Sequence, residues 1–276
     1  MSRKPYGVRT RGLVLTLFQI GLLAGGVQLV HPAEAAGQTT DEIVAKVLAA
    51  RGGLEKVKAV QTERIIGTLY FNPELYGPFL AEFKRPGKMH NEVTIQDKTV
   101  SRSFDGKDTG WVINPITGTG APEPMSAEDL KDAVNQADFD GPLVDAKAKG
   151  NTIELTGTEK VDGRDAYVLK VTHKDGQVSF YLFDTKTFLL AKWSGADSVN
   201  GDPVTRETYF HDYREVRGLK FAFELVSNTP GADVTQRIVV EKIEVDTQVD
   251  EAHFGKPPAR PAPPAAAPSA APPNRR

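Results

Sequence analysis

The residues with chemistry to offer are few, and their spacing does not suit catalysis. Five histidines stand at His31, His90, His173, His211 and His253, and none lies in an H-E-x-x-H run or another close pairing with carboxylates that would hold a metal. His211 and Asp212 adjoin, but neighbours on a strand point to opposite faces, so they cannot pair directly. No G-x-S-x-G elbow presents a serine. Neither G-x-G-x-x-G nor G-x-x-x-x-G-K-S/T is present to cradle a phosphate. Cysteine is absent altogether, which removes thiol nucleophiles, cysteine–zinc sites, iron–sulfur clusters and disulfide staples. Asp138-Phe139-Asp140-Gly141 has the opening of a calcium loop without the later acidic ligands; it reads as a helix exit or turn, with an ion site as the alternative. A hydrolase of scattered carboxylates is the minor enzymatic reading. The main one is a non-enzyme without metal or cofactor.

The 276 residues, 39% of them hydrophobic, suffice for one domain with a sizeable core. The ends have their own character. Residues 1–35 read as a cleaved signal peptide: Arg3, Lys4, Arg9 and Arg11, then an apolar run from Leu13 to Val30, then Ala33-Glu34-Ala35. An uncleaved anchor is the alternative, but Gly21, Gly25, Gly26 and Gln28 weaken the run as a permanent span. Cleavage implies a protein that is soluble outside the cytoplasm, secreted or periplasmic, with no stable membrane span. Residues 256–276 hold eight of the 19 prolines, so this segment reads as a disordered tail of polyproline II character, roughly 60 Å long when extended. It is either passive, or a tether or docking strip for an envelope partner. Residues 36–255, the domain between, carry 26 basic against 35 acidic side chains, a net charge of −9. Such a domain has no affinity for nucleic acid or anionic headgroups.

The middle must therefore be read for what it positions. Thr39 and Glu42 form a capping box ahead of a helix that Gly52-Gly53 ends, and a second short helix follows over Leu54–Val60. From Thr62 the apolar period changes to 2. Twelve strands are expected between Thr62 and Val245, with turn pairs at Asp105-Gly106, Asp162-Gly163, Asp175-Gly176 and Asn200-Gly201. Short connections imply antiparallel neighbours. One helix interrupts the run, capped by Ser126 and Asp129, its apolar stripe formed by Leu130, Val134, Ala137 and Ala133. It is a lid or a plain structural cover. Several strands are apolar on both faces, Val178 to Phe183 among them, so the sheet must be strongly curved or covered.

Phe104-Asp105-Gly106 with Gly110-Trp111, Gly163-Arg164-Asp165-Ala166-Tyr167-Val168-Leu169, Phe180-Tyr181-Leu182-Phe183-Asp184, Tyr209-Phe210-His211-Asp212-Tyr213 and the closing segment from Val245 to Phe254 follow one another over about 200 residues. In this order the chain resembles the LolA/LolB-like periplasmic lipoprotein carrier superfamily, and within it the outer membrane lipoprotein-sorting group. The resemblance implies a mainly β fold (α+β): a strongly bent, unclosed antiparallel half-barrel covered by a few helices. It also implies acyl chains or lipoproteins as cargo, held in an apolar groove for delivery toward the outer membrane.

The physical logic agrees. Each buried methylene is worth roughly 0.8 kcal/mol, so a long acyl chain gains on the order of 10 kcal/mol without one specific polar contact. Strand alternation pairs Phe79 with Phe83, Trp111 with Ile113, Phe180 with Leu182, and Phe221 with Phe223. These eight are expected to line the groove, with Leu130 and Val134 closing it; the alternative is that they fill a dry core. Without a nucleotide site, release must be driven by an acceptor, so donor and acceptor envelope proteins are implied. Two rival readings remain: an envelope sensor of the same fold that binds lipid or lipoprotein and signals to a protein partner, and a structural envelope protein.

Overall fold

The computed structural model describes residues 38–199, 202–229 and 235–258. The expected signal peptide, the expected turn at Asn200-Gly201 and the part of the expected proline-rich tail beyond Pro258 lie outside the described residues.

Local chemistry sets the helices. In α1 (Thr40–Arg51) Thr39 Oγ1 accepts from the Glu42 N–H at 3.2 Å, while Glu42 accepts from the Thr39 N–H at 2.9 Å. Gly52, at φ 128°, ends the helix. α2 (Leu54–Ala59) follows at once. α3 (Ala127–Ala137) opens on the second capping box, with Ser126 and Asp129 exchanging the same pair of bonds. α4 (Ala146–Lys149) is a single turn absent from the sequence expectation.

Thirteen strands make one antiparallel sheet. The first meander is β1 (Thr62–Tyr70), β2 (Tyr76–Lys84), β3 (Lys88–Ile95), β4 (Lys98–Phe104), β5 (Gly110–Ile113) and the two-residue β6 (Glu123–Pro124). The second is β7 (Thr152–Val161), β8 (Arg164–Thr172), β9 (Val178–Asp184), β10 (Leu190–Val199), β11 (Asp202–Val216), β12 (Leu219–Asn228) and β13 (Thr235–Val245). All twelve expected strands are present; β6 is the addition. The order across the sheet is β6-β5-β4-β3-β2-β1-β13-β12-β11-β10-β9-β8-β7, unclosed, so the fold is the half-barrel expected.

This order has a geometric consequence. β6 and β7 are consecutive in sequence yet form the two outer edges. The chain between them, carrying α3 and α4, must therefore cross from one edge to the other. It does so over the face that α1 and α2 also cover, here called the inner face. Four of the five apolar clusters lie on that face. α1 packs Ile43 and Val47 onto Leu169, Val171 and Phe183. Val57, Val60 and Val144 pack onto Leu219, Phe223, Val240, Ile243 and Val245. α3 packs Ala133 and Ala137 onto Met89 and Phe104. Leu69, Val93, Ile95 and Val100 form the fourth. On the outer face residues 246–258 run back across the strands as a strap, through the 3-10 turn Glu251–Phe254, and bury Phe254 to 1% exposure.

Candidate functional site

Residues directly opposed across an antiparallel ladder share a face, so the register sorts every expected groove residue. Phe83 stands opposite Glu63 on one side and Met89 on the other, and Met89 opposite Phe104. Phe79 stands opposite Gly67 and Val93. Leu69 pairs with Ile238, Ile238 with Leu225, and Leu225 with Phe210. Phe79, Phe83, Phe221 and Phe223 are thus all on the inner face, and Leu130 comes down on the same cluster as Phe83.

The other half of the expected set does not join them. Trp111 and Ile113 oppose Ser103 and Ser101, which puts them on the outer face, where the Lys256 ammonium lies 4.6 Å from the Trp111 ring centre. Phe180 opposes Lys170 and Leu182 opposes Val168. Leu182 packs into a separate outer cluster with Val161, Ala166 and Ala191, and Phe180 is 37% exposed. Val134 is 51% exposed and points away from the sheet; Ala133 and Ala137 close the interface instead. Alternation pairs residues within a strand, but only the register says which pair of one strand meets which pair of the next. In β9 both faces carry aromatics and in β5 both carry large hydrophobic side chains, so parity along the strand left the choice open.

Sequence reasoning missed several inner-face residues. Ile65, Phe210, Leu225 and Ile238 are half-buried, and together with Phe79 and Phe221 they give the face an apolar floor. Trp193 opposes Tyr181 and Thr208 on the inner face. Its ring lies over Gly195, where a Cβ would come within 2.5 Å of it.

The cover is fastened by cations. Arg51, at the end of α1, donates to the carbonyls of Phe139 and Asp140. Arg85 holds the Asp140 carboxylate with two hydrogen bonds of 2.8 and 2.7 Å and places its guanidinium 4.9 Å from the Phe139 ring centre. Lys149 takes the Asp138 carboxylate at 2.6 and 2.7 Å. Asp138 and Asp140 are therefore spent on protein cations, and the segment is the turn rather than an ion site, closed by Gly141 N–H to Asp138 O at 2.9 Å. Phe139 packs on Phe83 with ring centres 6.0 Å apart. Arg102, inner-facing and 6% exposed, reaches up to Asp129 of α3 at 3.2 Å. Burial lowers its pKa, while Asp129 and Asp132 hold it up.

The outer face carries the densest polar cluster. Glu82, fully buried, accepts from Arg64 Nε at 2.6 Å and pairs with His253 Nδ1 of the strap at 2.6 Å. His253 stacks on His90. His90 in turn meets Ser103 Oγ at 2.9 Å and Glu92 at 3.1 Å. Serine, imidazole and carboxylate are in nucleophile–base–orienter order, but Ser103 has no exposed surface and His90 only 4%. No substrate reaches such a hydroxyl, and the cluster anchors the strap. Among the described residues no group of three or more His, Asp or Glu side chains is placed to hold a metal, and no helix is long and apolar enough to cross a membrane.

No protein-family model matches the sequence, and no curated protein matches it. Solved structures do match in fold. A DUF1329 family protein from Desulfovibrio piger is similar over 79% of this chain and 97% of its own, at 16% identity and a TM-score of 0.54. An outer membrane lipoprotein-sorting protein domain from Vibrio parahaemolyticus covers 77% and 94%, at 13% identity and a TM-score of 0.50. A LolA superfamily protein from Nitrosomonas europaea aligns over 79% and 98%, at 12% identity and a TM-score of 0.46. The first two show the fold, which is that of the DUF1329 protein and of the lipoprotein-sorting domain.

Proposed function

We propose that this chain is a periplasmic binding protein that holds an acyl chain or another lipid-like group, including the acyl part of a lipoprotein, on the inner face of its half-barrel and carries it toward the outer membrane. The observation that carries this reading is the half-buried apolar floor of Ile65, Phe79, Phe210, Phe221, Leu225 and Ile238, lying beside a cover held on by a handful of ion pairs. The fold shared with the lipoprotein-sorting domain supports it. Phe139 and Leu130 rest on this face with the cover seated, so cargo enters by displacing them. Donor and acceptor envelope proteins supply and remove the cargo, since affinity alone drives the transfer.

The test is native mass spectrometry of the mature protein, purified from its own envelope without detergent and followed by lipid extraction. A stoichiometric lipid or acylated peptide is expected. Phe79→Asp and Phe221→Asp should lose it, whereas Phe180→Asp, on the outer face, should keep it. A bare polypeptide mass that persists after diacyl lipid and an acylated peptide are offered would overturn the reading. Cargo that is bound but never passed to acceptor membranes would replace carrier with sensor.

A further inference from the structure

Glu63 is the second residue of β1, and strand parity points it inward with Ile65, Gly67 and Leu69. Its cross-strand neighbours are Phe83 and Val245, both apolar. It is 6% exposed, yet among the described residues no hydrogen bond or ion pair reaches its carboxyl. The contrast with Glu82 is instructive. That residue, as deeply buried on the other face, is met by both Arg64 and His253. The charged groups near Glu63 are engaged elsewhere: Arg51 with the carbonyls of Phe139 and Asp140, and Asp140 with Arg85. A buried polar group without a partner is costly and calls for an explanation.

The rest of β1 supplies one. Glu63 to Leu69 spans roughly 20 Å at about 3.3 Å per residue. Ile65 is half-buried. Gly67, at the register shift between β1 and β13, has no side chain because the Val239 carbonyl oxygen would come within 2.3 Å of a Cβ there, so backbone forms the floor of the lane at this point. An extended hydrocarbon lying along this lane would bring its polar end to Glu63.

We infer that Glu63 is the headgroup anchor of the groove, selecting amphiphiles whose head is uncharged or cationic and carries a hydrogen-bond donor, and rejecting anionic heads such as a free fatty-acid carboxylate. The inference rests on the proposed function and names the ligand class of the same site. Burial pushes the Glu63 pKa up to about 7, with Arg51 of α1 opposing and Asp140 of the crossing segment adding to the rise; the facing residues Phe83 of β2 and Val245 of β13 add no charge. Near neutral pH the carboxylate form accepts from an N–H or O–H of the head. An anionic head would set two like charges in one dry space.

The experiment is displacement of the neutral dye N-phenyl-1-naphthylamine by laurate, lauramide and dodecylammonium, each below its aggregation threshold, from pH 5.5 to 8.5. The wild-type protein should release dye at a tenfold or greater lower concentration of lauramide or dodecylammonium than of laurate at pH 8. For dodecylammonium that preference should narrow below pH 6. Glu63→Gln should bring all three within about threefold of one another, while Glu159→Gln, an exposed charge control on β7, should leave the preference intact. Equal displacement by all three ligands in wild type, or an unchanged preference in Glu63→Gln, overturns the anchor and leaves the groove standing. Absence of any dye or amphiphile binding overturns the groove and the anchor together.

Discussion

Arg85 and Asp140 lie 55 residues apart and meet through two hydrogen bonds, one to each carboxylate oxygen. Arg85 follows directly on β2, and Asp140 sits in the middle of the segment that crosses between the sheet's two edges. The pair therefore ties the cover to the floor at one point. Two further Arg85 N–H groups donate to the carbonyls of Val57 and Val60, which brings α2 into the same knot.

Arg85→Ala should cost about 3 kcal/mol, as expected when one partner of a largely buried ion pair is removed. Urea unfolding would measure it. Asp140→Asn, which keeps shape and loses charge, should cost less. In both variants amide exchange should accelerate first over residues 138–145, ahead of the strands beneath.

Glu63 makes stability depend on pH with a defined sign. Its folded pKa, about 7, lies above the ordinary 4.5, so the folded state binds the proton more tightly than the unfolded chain. The stability linked to that proton is fully present below about 4.5 and is lost as pH rises through 7. The urea midpoint of the wild type should fall over this window relative to Glu63→Gln, which has no proton to lose there. Identical pH profiles for the two proteins would contradict the burial argument.

Glu251 acts in the opposite direction. Lys84 and Lys88 hold its carboxylate down to about 2, so its contribution is present above the ordinary 4.5 and disappears as pH falls through 2. Glu251→Gln should therefore lower stability by a constant amount across the neutral region and flatten the acid end of the unfolding profile, where the wild type loses that contribution. The two substitutions alter the pH dependence in separate windows and are distinguishable in a single titration series.

Gly195→Ala would place a methyl 2.5 Å from the Trp193 ring. The indole must lift from the inner face, so its emission should shift to the red. A Trp111→Phe background isolates the signal, since the chain has two tryptophans. The displacement should cost about 1–3 kcal/mol, the usual range for overpacking. An unmoved spectrum would mean the ring does not rest on Gly195.

Phe254→Ala empties the buried anchor of the strap and should cost about 3–5 kcal/mol. Exchange at the backbone of residues 246–256 should rise with it, while the second meander from β7 to β12 stays protected.

The sequence was legible where chemistry is local. Both capping boxes could be read from Thr39, Glu42, Ser126 and Asp129. The strands followed from period 2 and from Asp-Gly pairs whose glycines do adopt positive φ, as at Gly106, Gly163 and Gly176. It was less legible where the answer depends on distant partners. Gln96-Asp97 and Arg217-Gly218 turn with positive φ at both residues, although neither is an Asp-Gly or Asn-Gly pair. The candidate site divided the same way. Phe79 and Phe221 could be assigned together with Trp111 and Phe180 only while each strand was considered alone; β4 opposite β5, and β8 opposite β9, separated them. Glu63 carried no signal at all, because an acid at the start of a strand looks solvated until β2 and β13 close on either side.

The sheet order also fixes when the fold can be completed. β1 opens the sheet in sequence and β13 closes it, yet the two lie side by side at its centre. A chain that crosses a membrane or leaves the ribosome from its N-terminus can build the meander from β1 to β6 early, but the free edge of β1 has no neighbour until β13 arrives. The two halves must then join along a seam closed by contacts of long sequence separation, the kind that form slowly. Until that moment β1 offers an unpaired strand edge to any other chain nearby, so this protein's greatest exposure to aggregation falls in the interval before its final strand is delivered.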